Sequence, residues 1–212
     1  MLDTIIPTIK GFLFNPVETF QASCADETRA VLSYFGVLLL FDAVLVAGFE
    51  MMLLFFEYLL VSGTASASGV GHGTSAGMTL GMVFLIPATM FLSIVIGGSI
   101  FLFIFSLWTH LWVYLLGGNK GFMQTLHAIL YSTTPALLLG WIPVVGMFAS
   151  LWTLLLFFFG IREFQEISDG KAVDVILLSV FLPLFLLILL FTLAIIAITS
   201  HGGLFSFYSS YR

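Results

Sequence analysis

The residues of this sequence best placed to do chemistry are acids and histidines set in apolar surroundings. Asp42, Glu50 and Glu57 interrupt an otherwise uncharged run from Ala30 to Val61 at spacings of eight and seven residues. Those spacings place all three on one stripe of a helix. A charge in hydrocarbon costs about 2.5–3.5 kcal/mol on insertion scales, so an acid there must be protonated, hydrogen-bonded to a neighbouring helix, or facing water. With a rise of 1.5 Å per residue from Ala30, Asp42 lies roughly 18 Å into such a helix and Glu50 roughly 30 Å. Asp42 is then the embedded acid, Glu50 is interfacial and Glu57 lies beyond. No Lys or Arg lies in any long apolar segment to pair with Asp42.

Two histidines form a second candidate set. His110 is followed four residues later by Tyr114, and His127 by Tyr131, so each pair shares a helix face. The short turn Gly117-Gly118-Asn119-Lys120-Gly121 brings the two helices side by side. With Asp42, these residues are of the types that build a metal site or a proton relay. The structural reading is interhelical hydrogen bonding. The candidate intramembrane polar site is therefore Asp42, Glu50, His110, Tyr114, His127, Tyr131 and Pro135. No residue is assigned to a metal, a cofactor or catalysis, because no nucleophile–base constellation and no zinc-protease or nucleophile-elbow motif is present. Cys24 is the single cysteine and is read as inert.

The elements that position these residues follow from composition. Of 212 residues, 60% are hydrophobic and 8% charged, against about 25% charged in a soluble domain. Such a chain cannot cover itself with polar atoms, so its solvent is lipid. Six Lys and Arg with no basic cluster exclude a nucleic-acid surface. About 20 apolar helical residues cross the hydrocarbon core. Five segments qualify: Ala30 to Val61, Met82 to Leu116, Phe122 to Leu139, Ile142 to Ile161 and Val173 to Thr199. Pro135 should kink the third. The alternative is a re-entrant hairpin of the third and fourth segments, leaving three full spans.

Orientation comes from the cations. With five spans and the N-terminus inside, Lys10, Arg29, Lys120, Arg162 and Lys171 are all cytoplasmic, and Arg212 alone is external. The expected fold is an all-α polytopic membrane bundle of five transmembrane helices, N-terminus cytoplasmic and C-terminus outside. Residues 1–29 form a cytoplasmic amphipathic segment, 30–199 the transmembrane domain with an external Gly/Ser-rich loop at 62–81, and 200–212 an external tail. In the first segment Asn15-Pro16-Val17-Glu18 reads as a helix start, with Asn15 capping and Glu18 reaching back. Phe12, Leu13, Phe14 and Phe20 either dip into the headgroups or pack on the bundle.

Several short runs together resemble a known family. They are His110 to Gly121 (HLWVYLLGGNKG), Tyr131 to Pro135 (YSTTP), Trp141 to Gly146 (WIPVVG), Gly160-Ile161-Arg162-Glu163, and Ser168 to Ala172 (SDGKA). In order and spacing they resemble the Yip/Yif family of Rab-interacting membrane proteins. The similarity is greatest to the short prokaryotic-type branch, where Phe14-Asn15-Pro16 and Phe20 match a common opening. Gly117, Gly118, Trp141, Pro143, Gly146, Arg162 and Glu163 carry the family-like motif. The resemblance implies five spans and a cytoplasmic N-terminus; the missing catalytic motifs are the reason no enzymatic activity and no cofactor are expected. It also implies association with other copies or other membrane proteins. Small-GTPase binding is not carried over, since the long acidic-aromatic N-terminal region of the eukaryotic members has no counterpart here. The expected function is a Yip-like membrane scaffold that self-associates, binds membrane proteins or shapes the bilayer. The alternative is an ion, proton or small-solute channel or transporter using the intramembrane Asp and His residues.

Overall fold

The computed structural model describes the backbone of residues 2–68 and 80–209 and the side chains of residues 5–61, 81–197 and 199. The central part of the Gly/Ser-rich stretch, 69–79, and residues 210–212 lie outside them. All regular elements among the described residues are helical. They are α1 (Leu2–Phe14), α2 (Pro16–Ser23), α3 (Thr28–Ser68), α4 (Leu80–Leu92), α5 (Gly98–Leu115), α6 (Phe122–Ser132), α7 (Thr134–Leu139), α8 (Pro143–Gln165), α9 (Asp169–Ile176) and α10 (Leu182–Ser209). Two π-helical turns, Ser93–Gly97 and Leu177–Phe181, join α4 to α5 and α9 to α10.

Four helical stretches are long and apolar enough to cross a bilayer: Thr28–Val61, Gly81–Leu115, Pro143–Gln165 and Asp169–Ala197. They coincide with the first, second, fourth and fifth expected segments. Helix α3 continues to Ser68, into the stretch expected as a loop, and α10 continues to Ser209, past the expected end of the last span. The third segment is not one long helix but α6 and α7, broken at Thr133. The break has a local cause. Pro135 has no N–H for the carbonyl of Tyr131, four residues back. The Thr134 hydroxyl takes that place, donating to the Tyr131 carbonyl at 2.6 Å. Thr133 Oγ1 likewise donates to the Leu130 carbonyl at 2.7 Å. Hydroxyls next to the proline thus satisfy carbonyls that a regular helix would pair itself.

Helices α6 and α7 run against α8, with α3 and α5 on their flanks and α2 laid across α8. One end of the bundle gathers the charges. Lys120, in the turn after α5, pairs with Glu166 after α8 at 2.7 Å. Gln21 of α2 donates to Glu163 of α8 at 3.1 Å. Arg162 bridges Glu163 at 2.6 Å and Asp169 at 3.3 Å, and lies over the Phe158 and Phe159 rings.

The start of α2 departs from the expected cap. Pro16 does take the first helical position, but the Asn15 side chain makes no cap hydrogen bond. Its backbone is held from both sides instead. Asn15 N donates to the Gly11 carbonyl at 2.8 Å, while the Asn15 carbonyl accepts from Thr19 N at 3.1 Å and from Thr19 Oγ1 at 2.8 Å. Helix α1 therefore passes into α2 with little free backbone left to cap. Phe12 and Phe20 are fully buried in the bundle, whereas Phe14 is 78% exposed.

Candidate functional site

The densest constellation of aromatic and polar side chains lies where α1, α2, α3, α6 and α8 meet. Phe12 sits 4.7 Å from Phe20 and 4.8 Å from Tyr131, centroid to centroid, and Tyr131 lies 5.3 Å from Tyr34. Phe164 closes the cluster, edge-on to Phe20 at 6.0 Å. These are favourable tilted and edge-to-face geometries. The helices approach closely because Gly160 of α8 has no side chain. A Cβ there would stand 3.1 Å from the Ser132 hydroxyl and 3.2 Å from the Ala128 carbonyl of α6.

Polar atoms thread this cluster in pairs. Tyr131 donates its hydroxyl to Asp26 Oδ2 at 2.6 Å. Tyr34 and Thr134 share a hydrogen bond of 3.0 Å between their hydroxyls. His127 Nε2 lies 3.1 Å from Thr28 Oγ1, and its Nδ1 is buried with no partner among the described residues. A second group surrounds Gln165, which is 1% exposed. Its amide donates to the Gly121 carbonyl at 3.0 Å and to Thr125 Oγ1 at 2.9 Å, and its carbonyl accepts from Lys120 N at 3.3 Å. The same Thr125 hydroxyl is 2.8 Å from His110 Nδ1. Gln165 thereby ties α8 to the turn that Gly117 and Gly121 make at φ 94° and 91°, a region glycine enters without steric cost.

The residues singled out in the sequence are dispersed rather than gathered. His127 and Tyr131 share a buried face of α6, and both reach the segment Asp26–Thr28. His110 turns to Thr125, while Tyr114 points away and is 69% exposed. Asp42 is half-buried on α3 with no hydrogen bond or ion pair among the described residues, and Glu50 has one buried, unpartnered carboxylate oxygen. Pro135 is buried and helps break the third segment. No group of three or more His, Cys, Asp or Glu able to hold a metal ion occurs among the described residues.

The family-like residues are positional. Gly118 is buried against Val113 and Gln165, Trp141 donates to the Leu138 carbonyl at 3.1 Å, and Pro143 starts α8. Gly146 is buried beside the backbone of Gly140, and Arg162 and Glu163 belong to the charged end. Cys24 is half-buried, and burial, then the nearby Glu163 carboxylate, pushes its thiol above the ordinary range, which disfavours the reactive thiolate.

Sequence reasoning missed Asp26, Thr28, Tyr34 and Gln165. Each has an ordinary local explanation in sequence: acid and threonine before a helix start, aromatic near an interface, amide at a helix end. Their importance lies in contacts 40 to 105 residues away.

No curated protein and no solved structure matches this chain at a significant level. A family model described as the Yip1 domain matches residues 10–193. With that match over most of its length and its long apolar helices, this integral membrane protein belongs to the Yip1 domain family.

Proposed function

We propose that the protein is a non-enzymatic scaffold of the cell membrane that self-associates and binds other membrane proteins or shapes the bilayer. The carrying observation is the dispersal of its polar side chains. Among the described residues Asp42, His110, His127 and Tyr131 are not gathered: the last three are each engaged with a different neighbour, and Asp42 stands apart. A transport path needs such groups in register, facing shared water. Association has a shaped surface to use instead of a bare lipid-facing helix. From Leu184 to Ala197, α10 is exposed on every side, and with α5 it walls an apolar groove that includes Phe101, Trp108, Pro183 and Leu187.

The topology that goes with this reading counts α6–α7 as a fifth crossing, with the N-terminus cytoplasmic and the C-terminus outside. Residues 122–139 reach about 27 Å as helix, close to the ~30 Å hydrocarbon core. Single cysteines in a Cys24→Ser background test it: Glu57→Cys should react with an impermeant maleimide in intact cells, and Lys120→Cys only after lysis.

Crosslinking in native membranes, followed by mass analysis, tests the scaffold. Homo-oligomers or reproducible membrane-protein partners are expected. A monodisperse monomer that enriches no partner would overturn the reading.

A further inference from the structure

A half-open cavity of about 400 Å³ lies between α1, the start of α3 and α6, bordered by Asp26, Ser33, Tyr34 and Tyr131, with Ile5 and Ala30 as apolar walls. Its volume falls in the range of small-molecule pockets, about 300–1,000 Å³. We propose that it binds the ammonium headgroup of a membrane lipid, with Asp26 as counter-charge and the two tyrosine rings as walls.

Charge selects the ligand class. Among the described residues Asp26 is the only carboxylate on the lining, and no Lys, Arg or His lines the cavity. Glu27 and Arg29, the nearest charged residues along the chain, are exposed like Asp26 but do not line it. No ion pair engages Asp26 among the described residues. An anionic or phosphate-first ligand would meet this carboxylate unscreened, whereas a cation completes it.

Geometry then selects an organic ammonium. The Tyr131 hydroxyl is committed to Asp26 Oδ2 and the Tyr34 hydroxyl to Thr134, so both rings are fixed and both phenols are occupied. Among the described residues the pocket thus offers one carboxylate, two aromatic rings and the side chains of Thr8 and Ser33. That combination suits N–H donors and cation–π contact. A bare metal ion would find too few oxygens.

Position selects a lipid over a soluble amine. Asp26 precedes by two residues Thr28, where the first membrane-length helix begins. A carboxylate just outside a membrane-length helix is where a lipid headgroup would reach it, whichever side of the membrane this end of the bundle faces. The inference does not depend on self-association.

The test uses the full-length protein in nanodiscs of phosphatidylethanolamine or phosphatidylglycerol, with lipid retention read by native mass spectrometry. The wild type should retain phosphatidylethanolamine about tenfold over phosphatidylglycerol. Asp26→Asn, which keeps an acceptor for Tyr131, should abolish the preference, and so should Ser33→Trp, which fills the cavity. Lipid-free thermal unfolding identifies any variant that has failed to fold, and the two variants perturb the pocket in different ways. Equal retention of both lipids by the wild type overturns the proposal, as does undiminished preference in both folded variants. Free ethanolamine competing weakly with the lipid supports it. Ethanolamine binding in detergent as tightly as the lipid overturns the lipid assignment in favour of a soluble amine.

Discussion

Helices α6 and α10 are the two extremes of this molecule. Every residue of α6 from Thr125 to Ser132 is buried, and four of those eight are polar: Thr125, His127, Tyr131 and Ser132. From Leu184 to Ala197 α10 is exposed throughout, and its one polar residue there, Thr192, returns its hydroxyl to its own helix, to the Ile188 carbonyl at 2.8 Å. The interior is the more polar of the two. Lipid makes this possible, because apolar surface left facing hydrocarbon loses nothing, while a polar side chain must find its partner inside protein. Packing and hydrogen bonding, not apolar burial, decide which helix becomes the core.

The comparison can be broken by adding bulk. Gly160→Leu drives a side chain into the α6 backbone and should leave little monodisperse protein in fluorescence-detected gel filtration. Ala194→Leu, the same bulk added to α10, should leave the profile unchanged. Deletion of an aromatic ring comes next. Phe20→Ala should cost about 3–5 kcal/mol of stability, read as a lowered unfolding midpoint in detergent, against less than about 0.5 kcal/mol for Phe191→Ala. A smaller loss follows from Gln165→Leu, which strands the Gly121 carbonyl and should cost about 1–3 kcal/mol. The smallest effect belongs to Asp42→Asn. With no partner to lose, it should shift the midpoint by less than about 0.5 kcal/mol and alter no ion flux in proteoliposomes. A large change in either measurement would place Asp42 in a functional network after all.

The four long helices were legible because hydrophobic length is a property of a continuous stretch of chain, and Pro135 marked the break in the third segment for the same local reason. The core was not legible. Nothing near Phe12 announces that it, rather than Phe14, meets Tyr131, or that Phe20 is buried against Phe12 and Phe164. The candidate site was half visible. His127 and Tyr131 stood out as polar residues in an apolar run, but their partners Thr28 and Asp26 lie about a hundred residues away. Asp42 drew attention by the cost of its charge and proved isolated. Cost identifies a residue that needs an explanation, but only contacts say which explanation applies.

The π-helical turn Leu177–Phe181 separates a segment locked to the charged end from one that touches little else. Among the described residues, little besides that turn fixes the tilt of α10. Bilayers of different hydrophobic thickness are therefore expected to change the tilt of α10 before they disturb the aromatic cluster, a difference that accessibility labelling along α10 in thin and thick bilayers would read.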